Sequence, residues 1–182
     1  MSFADQLTVA RIVATPFVLA LFIWNFPHHN YIATAAFCVA MATDWFDGRV
    51  ARWRGGSSAF GSLLDPVADK VLVLSTMIVL VESGVFPGWL VAFIVAREFL
   101  VSGLRLAAVE RGVVMQAREL GKIKTWAQAM AVALAGLQAA GAWHVDIALW
   151  AGVLALGLTW LSALDYARLA PGILRGQGLV SP

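Results

Sequence analysis

Apolar residues run along this chain in six stretches, Leu7–Phe26, Tyr31–Val50, Phe60–Val81, Trp89–Val109, Leu120–Ala140 and Ile147–Leu164. Each is close to the ~20 residues that a helix rising ~1.5 Å per residue needs to cross the hydrocarbon core of a bilayer. The pattern predicts an all-α polytopic membrane protein built as a six-transmembrane-helix bundle. The breaks between stretches differ in charge. Pro27–Asn30, Glu82–Gly88 and Gly141–Asp146 contain no Lys or Arg, whereas Arg49, Arg52, Arg54, Arg111, Arg118, Lys122, Lys124, Arg168 and Arg175 all fall toward the other side. Basic residues stay on the cytoplasmic side, so both termini and the connections after the second and fourth spans are expected there. Trp24, Trp89 and Trp143 fall near the outer boundaries and Trp53 near an inner one, where amphipathic rings anchor at the interface.

Composition supports the same picture. Hydrophobic residues make up 60% of the 182 and charged residues 13%, about half the ~25% of ordinary soluble chains. Six spans leave little chain for anything else, so residues 1–182 are expected to form one membrane domain. The first stretch has neither a basic region ahead of it nor an obvious small-residue cleavage site, and it is expected to be a retained helix. The single cysteine, Cys38, excludes a disulfide framework and a cysteine-based zinc site. A net charge of +2 with no stacking platform argues against nucleic acid as a partner and fits basic loops facing membrane phospholipids. His28, His29 and His144 fall in outer connections and read as interfacial residues.

Four carboxylates interrupt the apolar pattern. Asp44 and Asp47 lie in Thr43-Asp-Trp-Phe-Asp-Gly-Arg-Val-Ala-Arg52, and Asp65 and Asp69 in Gly61-Ser-Leu-Leu-Asp-Pro-Val-Ala-Asp-Lys70. On a helix a three-residue step leaves the first pair roughly 60° apart, and a four-residue step leaves the second roughly 40° apart. Each pair therefore occupies one face. At ~2.5–3.5 kcal/mol per mid-membrane aspartate, four without compensation cost on the order of 10 kcal/mol. Two acidic faces turned toward each other would form an oxygen-rich cage for hard divalent cations such as Mg²⁺ or Mn²⁺. The plainer reading is solvated helix ends beside Arg49, Arg52 and Arg54. Gly48, Ala51 and Gly61 accompany the acids at helical spacing, and small side chains there serve close helix packing or the approach of a flat ligand.

The order Asp44-x-x-Asp47-Gly48-x-x-Ala51-Arg52, then eight residues, then Gly61-x-x-x-Asp65-x-x-x-Asp69 resembles the signature of the CDP-alcohol phosphotransferase family at every defined position. The resemblance covers essentially the whole chain, and it implies displacement of CMP from a CDP-linked lipid by an alcohol hydroxyl. It implies two divalent ions, Mg²⁺ or Mn²⁺, held by Asp44, Asp47, Asp65 and Asp69, with Asp69 also the general base. It assigns the CDP moiety to Thr8, Gly48, Ala51, Arg52, Ser58 and Gly61. Leu7-Thr8-x-x-Arg11-Ile12 is similar to the family's first helix, although Asp5 stands where many members have Asn. A homodimer is implied by the same resemblance.

A second set of polar residues bears on the acceptor. Ala96-Arg97-Glu98 lies inside the fourth span, Arg105 follows eight residues after Arg97, and Leu120-Gly-Lys122-Ile-Lys124-Thr125 enters the fifth. Arg97 and Arg105 differ by roughly 80° around a helix, so they can converge on one pocket. A phosphate suits their guanidinium forks; internal pairing of Arg97 with Glu98 or Glu119, and snorkelling of Arg105 and Lys124, is the competing reading. Together with Gly121-Lys-Ile-Lys-Thr125, these motifs resemble the bacterial branch of the family that uses CDP-diacylglycerol and sn-glycerol 3-phosphate in the cell (inner) membrane. That resemblance places the acceptor phosphate at Arg97, Arg105 and Lys122. Another acceptor (inositol phosphate, serine or phosphatidylglycerol) would keep the same fold and chemistry. A proton- or metal-coupled transporter would also set acids and arginines in such a bundle, but it commonly shows two related halves, and no repeat is visible here.

Overall fold

The computed structural model describes residues 3–53, 59–110, 119–143 and 146–174; for residues 3–8, 44–53, 59–66, 69, 109–110, 119–120, 122 and 165–174 it describes the backbone alone. Six α-helices follow one another: α1 (Phe3–Ile23), α2 (His29–Trp53), α3 (Ala59–Glu82), α4 (Gly88–Glu110), α5 (Glu119–Ala139) and α6 (Ile147–Leu174). Each apolar stretch became a helix, but the ends moved. The last helix runs past Leu164 through Asp165 and Arg168 to Leu174. Hydropathy stops where charge begins, whereas backbone hydrogen bonding continues through charged helix formers.

The turns at the end without basic residues are specified by local chemistry. Gly141 has φ 82° and Gly84 φ 73°. At the end of α5, Ala142 N donates to Leu137 O and Gly141 N to Gln138 O; at the end of α3, Val85 N donates to Leu80 O and Gly84 N to Val81 O. Both are Schellman closures, in which a left-handed glycine satisfies the last helical carbonyls. Side chains finish the work across helices. Asn30 Nδ2 donates to Ala139 O at 3.0 Å, and Ala148 N at the start of α6 donates to Gln138 Oε1 at 3.2 Å.

The packing forms two adjoining rings. α1 and α5 each touch both α2 and α3, which closes a ring of α1, α2, α5 and α3. α4 touches α3 and α6, and α6 packs extensively on α5, which closes a second ring that shares the α3–α5 contact. Phe37, Leu72, Met77, Leu80, Phe86, Leu90, Ile94 and Val132 fill the centre as fully buried side chains. The exterior is also apolar: Phe17, Val39, Ile78, Phe99, Met130 and Trp150, one from each helix, are more than half exposed. Polar groups lie inside instead, among them Thr76, Arg97, Glu98, Gln128, Thr159 and Ser162. An apolar surface of this extent is not one that water covers in an ordinary monomer. Among the described residues, Ile147–Leu164 is the one helical stretch both long and apolar enough to cross a membrane; α4 is interrupted by Arg97, Glu98 and Arg105.

Candidate active site

Both acidic motifs fall on continuous helix. The α2 backbone passes through positions 44 and 47 to Trp53, and that of α3 passes from Ala59 through positions 65 and 69 to Glu82. The roughly 60° and 40° separations expected around the two axes therefore apply to these Cα positions. The helices α2 and α3 that carry them belong to one ring, each in contact with α1 and α5. Ser58 lies outside the described residues, as do the side chains of Thr8, Asp44, Asp47, Ala51, Arg52, Asp65, Asp69 and Lys122 and the surroundings of Gly48 and Gly61. The donor chemistry of the quartet is all carboxylate oxygen, which fits a hard divalent ion and suits neither Cu(I) nor a structural zinc.

The second ring carries the best-defined polar cluster. Glu98, with its side chain 4% exposed, receives three cations from three helices. Arg97 Nη1 donates to Oε1 at 2.7 Å, Lys124 Nζ from α5 donates to the same oxygen, and Lys70 Nζ from α3 lies 3.4 Å from Oε2. Arg97 Nη2 donates to Ser162 Oγ of α6 at 3.0 Å. Lys70 also donates to Ser102 Oγ, which in turn donates to the backbone carbonyl of Glu98 at 2.7 Å. Every helix of the ring contributes. One buried carboxylate thus gathers three cations, of which Arg97 is fully buried and the two lysines partly so, a charge-assisted arrangement.

The cluster has a closed end and an open end. Arg97 is fully buried, and its Nε has no partner among the described atoms. Lys124 is 12% exposed and Lys70 35%, so accessibility increases toward α3, where Lys70 directly follows Asp69. Arg105 is half-buried on α4, two turns or about 12 Å beyond Arg97, with an interaction of its own. Deeper in the ring, Gln128 Nε2 donates to Thr159 Oγ1 at 3.0 Å and joins α5 to α6.

The sequence leaves phosphate binding and internal pairing both open for Arg97, and in this structure the guanidinium is paired internally with Glu98. Around this pair the structure adds Lys70 and Ser102 beside Glu98 and Ser162 beside Arg97. Lys70 offered a signal, being a cation in an apolar run and therefore in need of a partner. The serines offered none, because an isolated Ser in an apolar helix commonly bonds its own backbone.

Comparison with known proteins agrees with the motif. The family model described as CDP-alcohol phosphatidyltransferase matches residues 1–161. A Bacillus subtilis protein named CDP-diacylglycerol–glycerol-3-phosphate 3-phosphatidyltransferase is 39% identical over 166 residues, covering 82% of this chain and 86% of that protein. A Mycobacterium tuberculosis protein named as a probable phosphatidylglycerophosphate synthase is 41% identical over 171 residues, 92% of this chain and 80% of its own length. A Salmonella choleraesuis protein with the same name as the Bacillus one is 37% identical over 179 residues, 94% of this chain and 96% of that protein. With the acidic motifs on unbroken helices and a family match over most of its length, the chain belongs to the CDP-alcohol phosphatidyltransferase family.

Proposed function

We propose that this protein transfers the phosphatidyl group of CDP-diacylglycerol to sn-glycerol 3-phosphate, releasing CMP and forming phosphatidylglycerophosphate. The observation that carries the reading is the family match over residues 1–161, which embraces both acidic motifs on continuous helices. The names of the relatives, at 37–41% identity across most of their lengths, support CDP-diacylglycerol and sn-glycerol 3-phosphate as the substrates.

In this reading the hydroxyl of glycerol 3-phosphate attacks the lipid-bearing phosphorus. A P–O bond forms there, the pyrophosphate P–O bond breaks, and CMP leaves with the bonding pair. Asp69 takes the hydroxyl proton, since an alcohol is a poor nucleophile until a positioned base removes it. Asp44, Asp47 and Asp65, with Asp69, hold the metals. The chemistry that two Mg²⁺ or Mn²⁺ ions supply there is neutralisation of charge developing on the pyrophosphate. Thr8, Gly48, Ala51, Arg52, Ser58 and Gly61 receive the CDP moiety, with the small residues letting the nucleotide approach the backbone. Arg97, Arg105 and Lys122 supply positive charge for the acceptor phosphate, Arg97 from within the buried cluster.

The apolar exterior and polar interior support a six-span bundle in the bacterial inner membrane as one domain. The charge asymmetry of the connections supports a site and termini on the cytoplasmic side, where a water-soluble acceptor is at hand. A homodimer is part of the same proposal. The test is CMP release from CDP-diacylglycerol by the purified protein with Mg²⁺ or Mn²⁺ and a panel of acceptors. Release that depends on sn-glycerol 3-phosphate is expected; equal release with serine, inositol phosphate or phosphatidylglycerol would refute the acceptor assignment.

A further inference from the structure

Lys70 from α3 and Lys124 from α5 both reach one carboxylate on α4, and two ammonium groups gathered at one point repel unless something between them is negative. Glu98 is that group. Its Oε1 takes Lys124 and Arg97, and its Oε2 faces Lys70 at 3.4 Å. Arg97 is fully buried and also held by Ser162, so it anchors the carboxylate from the closed side. The lysines form the less buried side of the cluster, at 12% exposure for Lys124 and 35% for Lys70. Lys70 is the residue after Asp69, and Lys124 lies two residues after Lys122. The two lysines therefore lie on the same helices as, and within two residues of, Asp69 and Lys122, whose side chains are outside the described atoms.

We propose that Glu98 is a positioning residue that holds the Lys70 and Lys124 ammonium groups side by side as a preorganised positive edge for an anionic acceptor. This rests on the acceptor reading above. Glu98 touches no substrate in this account; it acts through the two lysines. A carboxylate that served only to neutralise Arg97 would not need to draw Lys70 and Lys124 from two further helices onto its two oxygens. Preorganisation removes the cost of gathering like charges at the moment of binding, so its loss falls on acceptor affinity rather than on the nucleotide lipid.

The test compares wild type, Glu98→Gln and Glu98→Asp in detergent, by direct titration with sn-glycerol 3-phosphate and by steady-state kinetics with each substrate varied. Glu98→Gln keeps the shape and removes the charge, so acceptor Kd and KM should rise about tenfold or more, the scale of a lost charge-assisted contact, with the CDP-diacylglycerol KM within about twofold. Glu98→Asp keeps a carboxylate charge on α4 beside Arg97 and shortens by one methylene its reach toward Lys70 and Lys124 on the other helices. It serves as the folded variant if Gln strands a buried arginine, and an intermediate rise in acceptor Kd and KM is expected. Unchanged acceptor Kd and KM in Glu98→Asp, with only kcat or thermal stability reduced, overturns the proposal and leaves Glu98 a structural counter-ion. Wild type that neither binds sn-glycerol 3-phosphate nor releases CMP with it refutes the acceptor reading instead, which separates the two failures.

Discussion

Arg97 on α4 and Ser162 on α6 are joined by a 3.0 Å hydrogen bond from Nη2 to Oγ, and both side chains are essentially sealed from solvent. With Nη1 on Glu98, this bond fixes the deepest charge in the second ring. Removing one partner of a buried pair leaves the other uncompensated, at a typical ~3–5 kcal/mol. Arg97→Ala should therefore lower stability markedly. Ser162→Ala removes one neutral partner from a charged donor and should cost less, about 1–3 kcal/mol. Thermal unfolding in one detergent checks the order, and equal stability of Arg97→Ala and wild type would contradict the buried pairing.

Arg105 and Lys122 share with Arg97 the assignment to the acceptor phosphate. Replacing either with Ala should raise the sn-glycerol 3-phosphate requirement about tenfold, corresponding to ~1.5–3 kcal/mol for a charged contact, and leave the CDP-diacylglycerol requirement near normal. Initial rates with each substrate varied in turn read this directly. A shift confined to the lipid nucleotide would mean that the two pockets are assigned the wrong way round.

The helices were legible because their apolar runs are long, and the acidic motifs because charge is conspicuous in such runs. What hydropathy missed were relationships across helices. Nothing about Ser162 in an apolar segment says that it meets Arg97, sixty-five residues earlier, and nothing about Lys70 names Glu98 as its partner. Such pairings follow from the ring order α3, α4, α6, α5, which depends on packing rather than on local pattern. The extension of α6 beyond Leu164 was hidden for another reason: its continuation carries charge, so membrane-span length and helix length separate.

Replacement of Asp44, Asp47 or Asp65 by Asn should nearly abolish turnover while leaving the fold intact. Extra CDP-diacylglycerol should not restore it, because the lost interaction stabilises the transition state rather than substrate binding. Excess EDTA should do the same to wild type, reversibly on return of Mg²⁺ or Mn²⁺. Robust activity of Asp44→Asn, or of wild type in EDTA, counts against a metal site at these residues.

Asp69→Asn separates a base from a passive ligand. Single-turnover rates at saturating metal should fall by ~10²-fold or more if the proton goes to Asp69. Weaker metal binding with near-normal single-turnover rates at saturation would remove it from that role.

The central claim, transfer of a phosphatidyl group to sn-glycerol 3-phosphate, is tested most directly by following label from that acceptor into lipid. Purified protein in mixed micelles with CDP-diacylglycerol, Mg²⁺ or Mn²⁺ and labelled sn-glycerol 3-phosphate should form one labelled phosphatidylglycerophosphate for each CMP released. CMP release without label in lipid, or no release at all from folded, metal-replete protein, would contradict it.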